Sequence, residues 1–160
     1  VTRYDERMLS NTKVSFMYTP WLTPITFEVD GVRFGCTLGM ETAYPELFAE
    51  YERAGVHCVL HSTMDNGATF ALQAQGHASV NSYWISYATC TADSAAAPAG
   101  VLDASGGWAA RCAIGESSVA TANLDLNHGA LSRSWRRTAR GALYIGAAVS
   151  NDPRISRSSF

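Results

Sequence analysis

The sequence predicts an α/β domain, a mixed β-sheet with helices on one face. Three observations predict it. Strand-like and helix-like runs alternate between residues 25 and 89. An Asp30-Gly31 pair separates two alternating apolar runs, the pattern of a tight hairpin. Beyond residue 89, strand-like runs follow one another with no helix between them. The chain has 160 residues, 47% hydrophobic and 16% charged, which gives room for one core and argues against disorder.

Residues 1–24 read as an irregular segment, because Pro20 and Pro24 block a helix there. Ile25–Val29 and Val32–Leu38 alternate and form the expected hairpin. Pro45 and Glu46 suit a helix start, and Leu47, Phe48, Tyr51 and Ala54 follow at helical spacing until Gly55 stops the run. Val56–His61 is a short apolar strand. Asp65-Asn66-Gly67 turns the chain into a second helix over Ala68–Asn81, and Ser82–Thr89 is the next strand. Val101–Asp103 and Trp108–Cys112 flank a Ser-Gly-Gly turn as a second hairpin. Ser118–Leu126 alternates and is expected to be a further strand. Leu131–Gly141 reads as a basic amphipathic helix. The domain is read as one unit over 1–160, with a core from 25 to 141 and a tail from 142 to 160. So few helices cannot cover both sheet faces, so the other face must pack on something else.

Several classes are excluded. Twelve Lys and Arg against fourteen Asp and Glu, with no basic block, argue against a nucleic-acid surface. No apolar run nears the ~20 residues of a membrane span. Dinucleotide, P-loop, Gly-x-Ser-x-Gly and His-Glu-x-x-His motifs are absent, so no cofactor and no metal are expected. His57 and His61 fall on one face of a strand with Cys58 on the other, which favours packed histidines over a metal site. Cys36, Cys58, Cys90 and Cys112 lack metal or disulfide-framework spacing. Free thiols and a polar start lead to the expectation of a cytoplasmic protein. Abundant Ala, Gly and Arg suggest a high-GC bacterium.

The run Phe34-Gly35-Cys36-Thr37-Leu38-Gly39-Met40-Glu41-Thr42-Ala43-Tyr44-Pro45-Glu46-Leu47-Phe48, followed by Ala54-Gly55-Val56, resembles the nucleophile region of the nitrilase (carbon–nitrogen hydrolase) superfamily. Ala74–Asn81, Pro98–Gly106 and Leu124–Leu126 are similar to three later stretches of that family, in the same order. The resemblance implies one half of an αββα sandwich, the C-terminal half. Family hydrolysis uses a Cys nucleophile, a Glu base and a Lys that stabilises the tetrahedral intermediate. Glu41 and Tyr44-Pro45-Glu46 fix the register, and the Cys position falls on Gly39. The Lys context reads Tyr4-Asp5-Glu6-Arg7-Met8-Leu9, which puts Glu6 at the Lys position. The base belongs to a half with no counterpart here. The resemblance puts Lys13 near a second family Glu, which leaves two readings: acid and base exchanged along this segment, or Glu6 and Lys13 as solvated loop charges. Cys36 falls on the opposite strand face from residue 39 and is no replacement nucleophile.

The resemblance therefore implies a nitrilase-like protein without its nucleophile, repurposed as a small-molecule enzyme. Glu6, Glu41 and His61 are the candidate acid–base groups, and Lys13, Gly39, Met40, Ser62 and Thr63 the candidate binding positions. Glu41 as a structural carboxylate and His61 as a strand-end residue are the competing readings. Two alternatives stay open: a non-catalytic binding or oligomer-partner protein, and an amide or nitrile hydrolase completed by another chain. A homodimer, a higher homo-oligomer or pairing with a chain that supplies the other half is expected, with a small-molecule ligand and neither nucleic acid nor membrane.

Overall fold

The structure, a computed structural model, describes residues 3–10, 18–64 and 67–139. It divides into two compact units, Val1–Gly129 and Ala130–Phe160.

The first unit is built on a six-stranded mixed sheet in sequential order. β1 (Thr26–Val29) and β2 (Val32–Leu38) pair antiparallel. Asp30 and Gly31 both take positive φ, 50° and 77°, as the primed two-residue turn demands. β3 (Cys58–Ser62) and β4 (Trp84–Ala88) continue the sheet in parallel. β5 (Gly100–Leu102) and β6 (Trp108–Arg111) complete it antiparallel. A 3-10 turn, Gly39–Ala43, links β2 to helix α1 (Pro45–Arg53). Helix α2 (Thr69–Asn81) connects β3 to β4.

Local chemistry sets these boundaries. α1 opens on Pro45 and closes on Gly55 at φ 73°, where Gly55 N donates to Glu52 O and Val56 N to Tyr51 O. That pair of bonds is a Schellman ending, which satisfies carbonyls the helix would leave open. It also delays β3, which begins at Cys58 and not at Val56.

Both helices pack on one sheet face, as expected. Leu47, Phe48 and Tyr51 of α1 and Ala71, Ala74 and Ala78 of α2 meet Val59, Ile85, Tyr87 and Leu102 in one buried cluster. The alanines let α2 approach closely. Tyr51 lies against Gly35, where an added Cβ would sit 2.6 Å from the ring, and its hydroxyl donates to Cys36 O at 2.6 Å.

The opposite face carries Phe27, Phe34, Cys58 and Trp84 in one cross-strand row and Cys36, Leu60, Ser86 and Val101 in the next. Here the expectation for 118–126 is corrected. The segment forms no strand. Ala122 and Leu124 pack against Cys58, Trp84 and Ala104, and Trp84 Nε1 donates to Asp125 O. The alternation is real, with even positions half-buried and odd ones exposed from 120 to 126. It reflects one side of an extended segment lying across the sheet, not a strand at its edge. Asp103 likewise leaves its expected strand, because its carboxylate accepts from the Ser105 and Gly107 amides in the turn.

Within the second unit, α3 (Ala130–Ala139) is amphipathic and carries Leu131 and Trp135 exposed. Its expected end and the 142–160 tail lie outside the described residues. No helix among the described residues is long and apolar enough to cross a membrane.

Candidate functional site

The carboxyl edge of the parallel strands β2 and β3 opens on a cleft of about 450 Å³. Edges of this kind, where a strand gives way to a helix, are where α/β sheets hold ligands. Leu38, Gly39 and Met40 line it from the β2 turn, Ser62 and Thr63 from the end of β3, and Glu6 from the N-terminal segment. Phe70 of α2 adds an aromatic wall.

Gly39 takes φ 47°, in the left-handed region that side chains rarely enter. A Cβ built there meets one atom within 4 Å, Glu6 Oε1 at 3.8 Å. The fold thus brings together Glu6 and Gly39, positions 33 residues apart in the chain. A second cleft, about 550 Å³, shares Glu6 and Leu38 and runs past Tyr4, Tyr18 and Trp21. Trp21 N donates to Glu6 O at 3.2 Å, tying the Pro20-Trp21 stretch to the same segment.

Glu41 does not face the cleft. It is fully buried, 0% exposed. Its Oε1 accepts from the Arg7 amide at 2.6 Å and the Met8 amide at 3.3 Å. Its Oε2 accepts from the Tyr4 hydroxyl and the Leu38 amide, each at 2.7 Å. Four donors clamp it, so it holds residues 4–8 onto the β2 turn. Burial, then the bond to Glu41, raises the Tyr4 phenol well above its ordinary range. Arg7 turns away from the cleft, pairing with Glu50 at 2.7 Å and lying over the Tyr51 ring.

His61 is 1% exposed and lies on the helix side of the sheet. Its Nδ1 meets Thr37 Oγ1 at 2.9 Å, and its ring tilts against Tyr87. Burial, then the His77 charge, pushes its pKa down to about 4, so the ring is neutral at neutral pH. His77 stacks on Phe48 and donates from Nε2 to Thr42 O at 2.8 Å. His57 Nδ1 accepts from the Arg33 amide, which fits its packing role. No group of three possible metal ligands occurs among the described residues. Lys13 lies outside the described residues.

None of the four thiols lines the cleft. Cys36 sits on the opposite sheet face beside Tyr4, Ile25 and Phe27, and burial followed by the Glu41 charge raises its pKa. Burial pushes the Cys58 thiol up to about 12. Sequence reasoning passed over Tyr4 and Thr37 as site partners. A hydroxyl with no motif around it carries no local signal.

No protein-family model matches this sequence. No curated protein matches it either. Solved structures do. Nit3 of Saccharomyces cerevisiae, a member of branch 10 of the nitrilase superfamily, superposes with a TM-score of 0.62 at 19% identity, over 88% of this chain and 51% of that one. The fold is nitrilase-like. The NitN amidase from Neterenkonia sp. AN1 is similar at a TM-score of 0.65 and 16% identity, over 82% of this chain and 57% of that one. A variant of the Nesterenkonia sp. AN1 amidase, with acrylamide added to its active-site cysteine, gives 0.64 and 17%, over 82% and 57%. At these identities the likeness carries the fold. The nitrilase-like chain spans about half the length of the solved structures it matches.

Proposed function

We propose that this nitrilase-like half keeps a small-molecule cleft and has given up cysteine-dependent hydrolysis there. The observation that carries this reading is Gly39. At the turn where the resemblance puts the nucleophile, the chain has no side chain, and the nearest group to that position is a carboxylate, Glu6. A carboxylate opposes a developing oxyanion. Neither Cys36 nor Cys58 repairs the loss, because neither lines the cleft and burial raises the pKa of both thiols. Of the three candidate acid–base groups, Glu6 alone lines the cleft; Glu41 is held by four donors and His61 is neutral within the core. In this reading Gly39, Met40, Ser62 and Thr63 shape the ligand site, with Lys13 a further candidate from the sequence. Any catalysis is proton transfer through Glu6. Glu41 is a positioning residue that fixes the segment carrying Glu6.

Acrylamide followed by intact-mass measurement tests the loss of the nucleophile. The expected result is no adduct tied to the cleft, together with no ammonia release from small amides. Amide turnover that stops when a cysteine is blocked would overturn the reading in favour of a hydrolase completed by another chain.

A further inference from the structure

Resting on the small-molecule cleft just proposed, we infer that its ligand is two-ended, with an aromatic ring at one end and a hydrogen-bonding head at the other. The head enters the Gly39 cleft, and the ring lies in the larger cleft beside it. Three observations lead there.

The first is continuity. The cleft of about 450 Å³ and the cleft of about 550 Å³ share two wall residues, Glu6 and Leu38. They therefore adjoin where β2 ends. Each volume is of the size that encloses a small molecule, and the pair suits one longer than either cleft holds alone.

The second is an unused hydroxyl at one end. Thr63 lines the Gly39 cleft and is 6% exposed. Its amide is occupied, donating to Ala88 O at 2.9 Å. Its Oγ1 has no hydrogen-bond partner among the described residues. A buried hydroxyl left so costs stability, and a polar head brought into the cleft removes that cost. With glycine at 39, no side chain stands between the β2 turn and that head.

The third is aromatic surface at the other end. Tyr18 and Trp21 line the larger cleft and are 61% and 49% exposed. Arg3 and Asp5, in the same wall, are bonded to each other. Trp21 is tied by its amide to Glu6 O, which places its ring cleft beside the shared wall. Rings of this kind gain more from an aromatic partner than from a saturated one of equal area.

Phenyl alcohols test both ends at once, because a hydroxyl head can donate to Thr63 or accept from it. The series 2-phenylethanol, 3-phenylpropan-1-ol and 4-phenylbutan-1-ol is titrated into the protein. The Trp21 indole N–H reports on the larger cleft by NMR, and the Ser62 and Thr63 amides on the smaller. One member is expected to shift both sets of signals at a single Kd, at least about tenfold below the Kd of propan-1-ol or of toluene. Its cyclohexyl counterpart should bind about threefold more weakly. Trp21→Ala should erase that preference for the aromatic ring, and Thr63→Val should weaken the phenyl alcohol several-fold. Thermal melts of the variants report their folding, and the comparison of probes on the unmodified protein stands without them. Shifts confined to Ser62 and Thr63, different Kd values for the two sets, or equal binding of the cyclohexyl alcohol overturn the two-ended ligand and leave the cleft reading intact. Shifts confined to Trp21, or none with any probe, overturn both.

Discussion

Glu41 is the residue on which the site's geometry turns. A carboxylate buried at 0% exposure survives because two backbone amides of the N-terminal segment, one of β2 and a phenol all donate to it. Glu41→Gln keeps the shape but loses charge and turns one acceptor into a donor. It should cost about 3 kcal/mol in urea unfolding, and Tyr4→Phe about 1 kcal/mol. Loss of ligand binding by Glu41→Gln at unchanged stability would instead make it a cleft residue. His61 sets a pH dependence. Its folded pKa of about 4 lies below the unfolded value of 6.5. The unfolded chain therefore binds more protons between those values, so stability is full above pH 6.5 and falls as pH drops towards 4. Those two limits bound the loss at about 3 kcal/mol, with His77, also lowered by burial, acting in the same direction. Urea midpoints from pH 7.5 to 4 should show the fall, and His61→Gln should flatten it. An unchanged slope in the variant removes His61 from the account.

At the scale of elements, α1 is fixed on β2 by a missing side chain as much as by those present. A Cβ at Gly35 would strike the Tyr51 ring at 2.6 Å. Gly35→Ala should cost about 2 kcal/mol, and should cost clearly less in a Tyr51→Leu background, because the obstructing ring is gone. Equal losses in both backgrounds would place the strain elsewhere. The same elements show what was legible beforehand. The Asp30-Gly31 hairpin and the Pro45-to-Gly55 limits of α1 were readable because turn and cap chemistry is local. The alternation of 118–126 was readable too, but not what it packs on, since burial on one side looks alike for a strand and for a strap across a sheet. The ordered resemblance singles out Gly39 and Glu6, and the structure puts both on one cleft. A structural role for Glu41 was one of two readings, but its partners were not legible, because the donors Tyr4 and Arg7 come from 37 and 34 residues away. His61 was placed near a strand end, while its burial depends on helices on either side of it in the sequence.

At the scale of the whole first unit, one sheet face is sealed by helices and the other is covered only in part by the described residues of that unit. Residues 122–125 reach Cys58 and Trp84, but Phe27, Phe34 and Cys36 are half-buried and Leu60 remains 36% exposed. A sheet that keeps apolar residues on both faces is built to be covered on both. The solved structures it resembles are about twice as long as the part matched, which is room for a second layer. A second copy of this chain is the proposed occupant of that face. Sedimentation should therefore give a particle larger than the 17.2 kDa chain. Leu60→Asp, a charge at the centre of the open face, should return it to a single chain, with an unchanged far-UV spectrum and intact binding at the Glu6 cleft. The cleft lies at the carboxyl edge of β2 and β3, whereas Leu60 points out of the sheet plane, so the two readouts should separate. If the unmodified protein sediments as one chain at high concentration, the open face is not met by another copy. Retention of the larger particle by Leu60→Asp would move the contact to another surface.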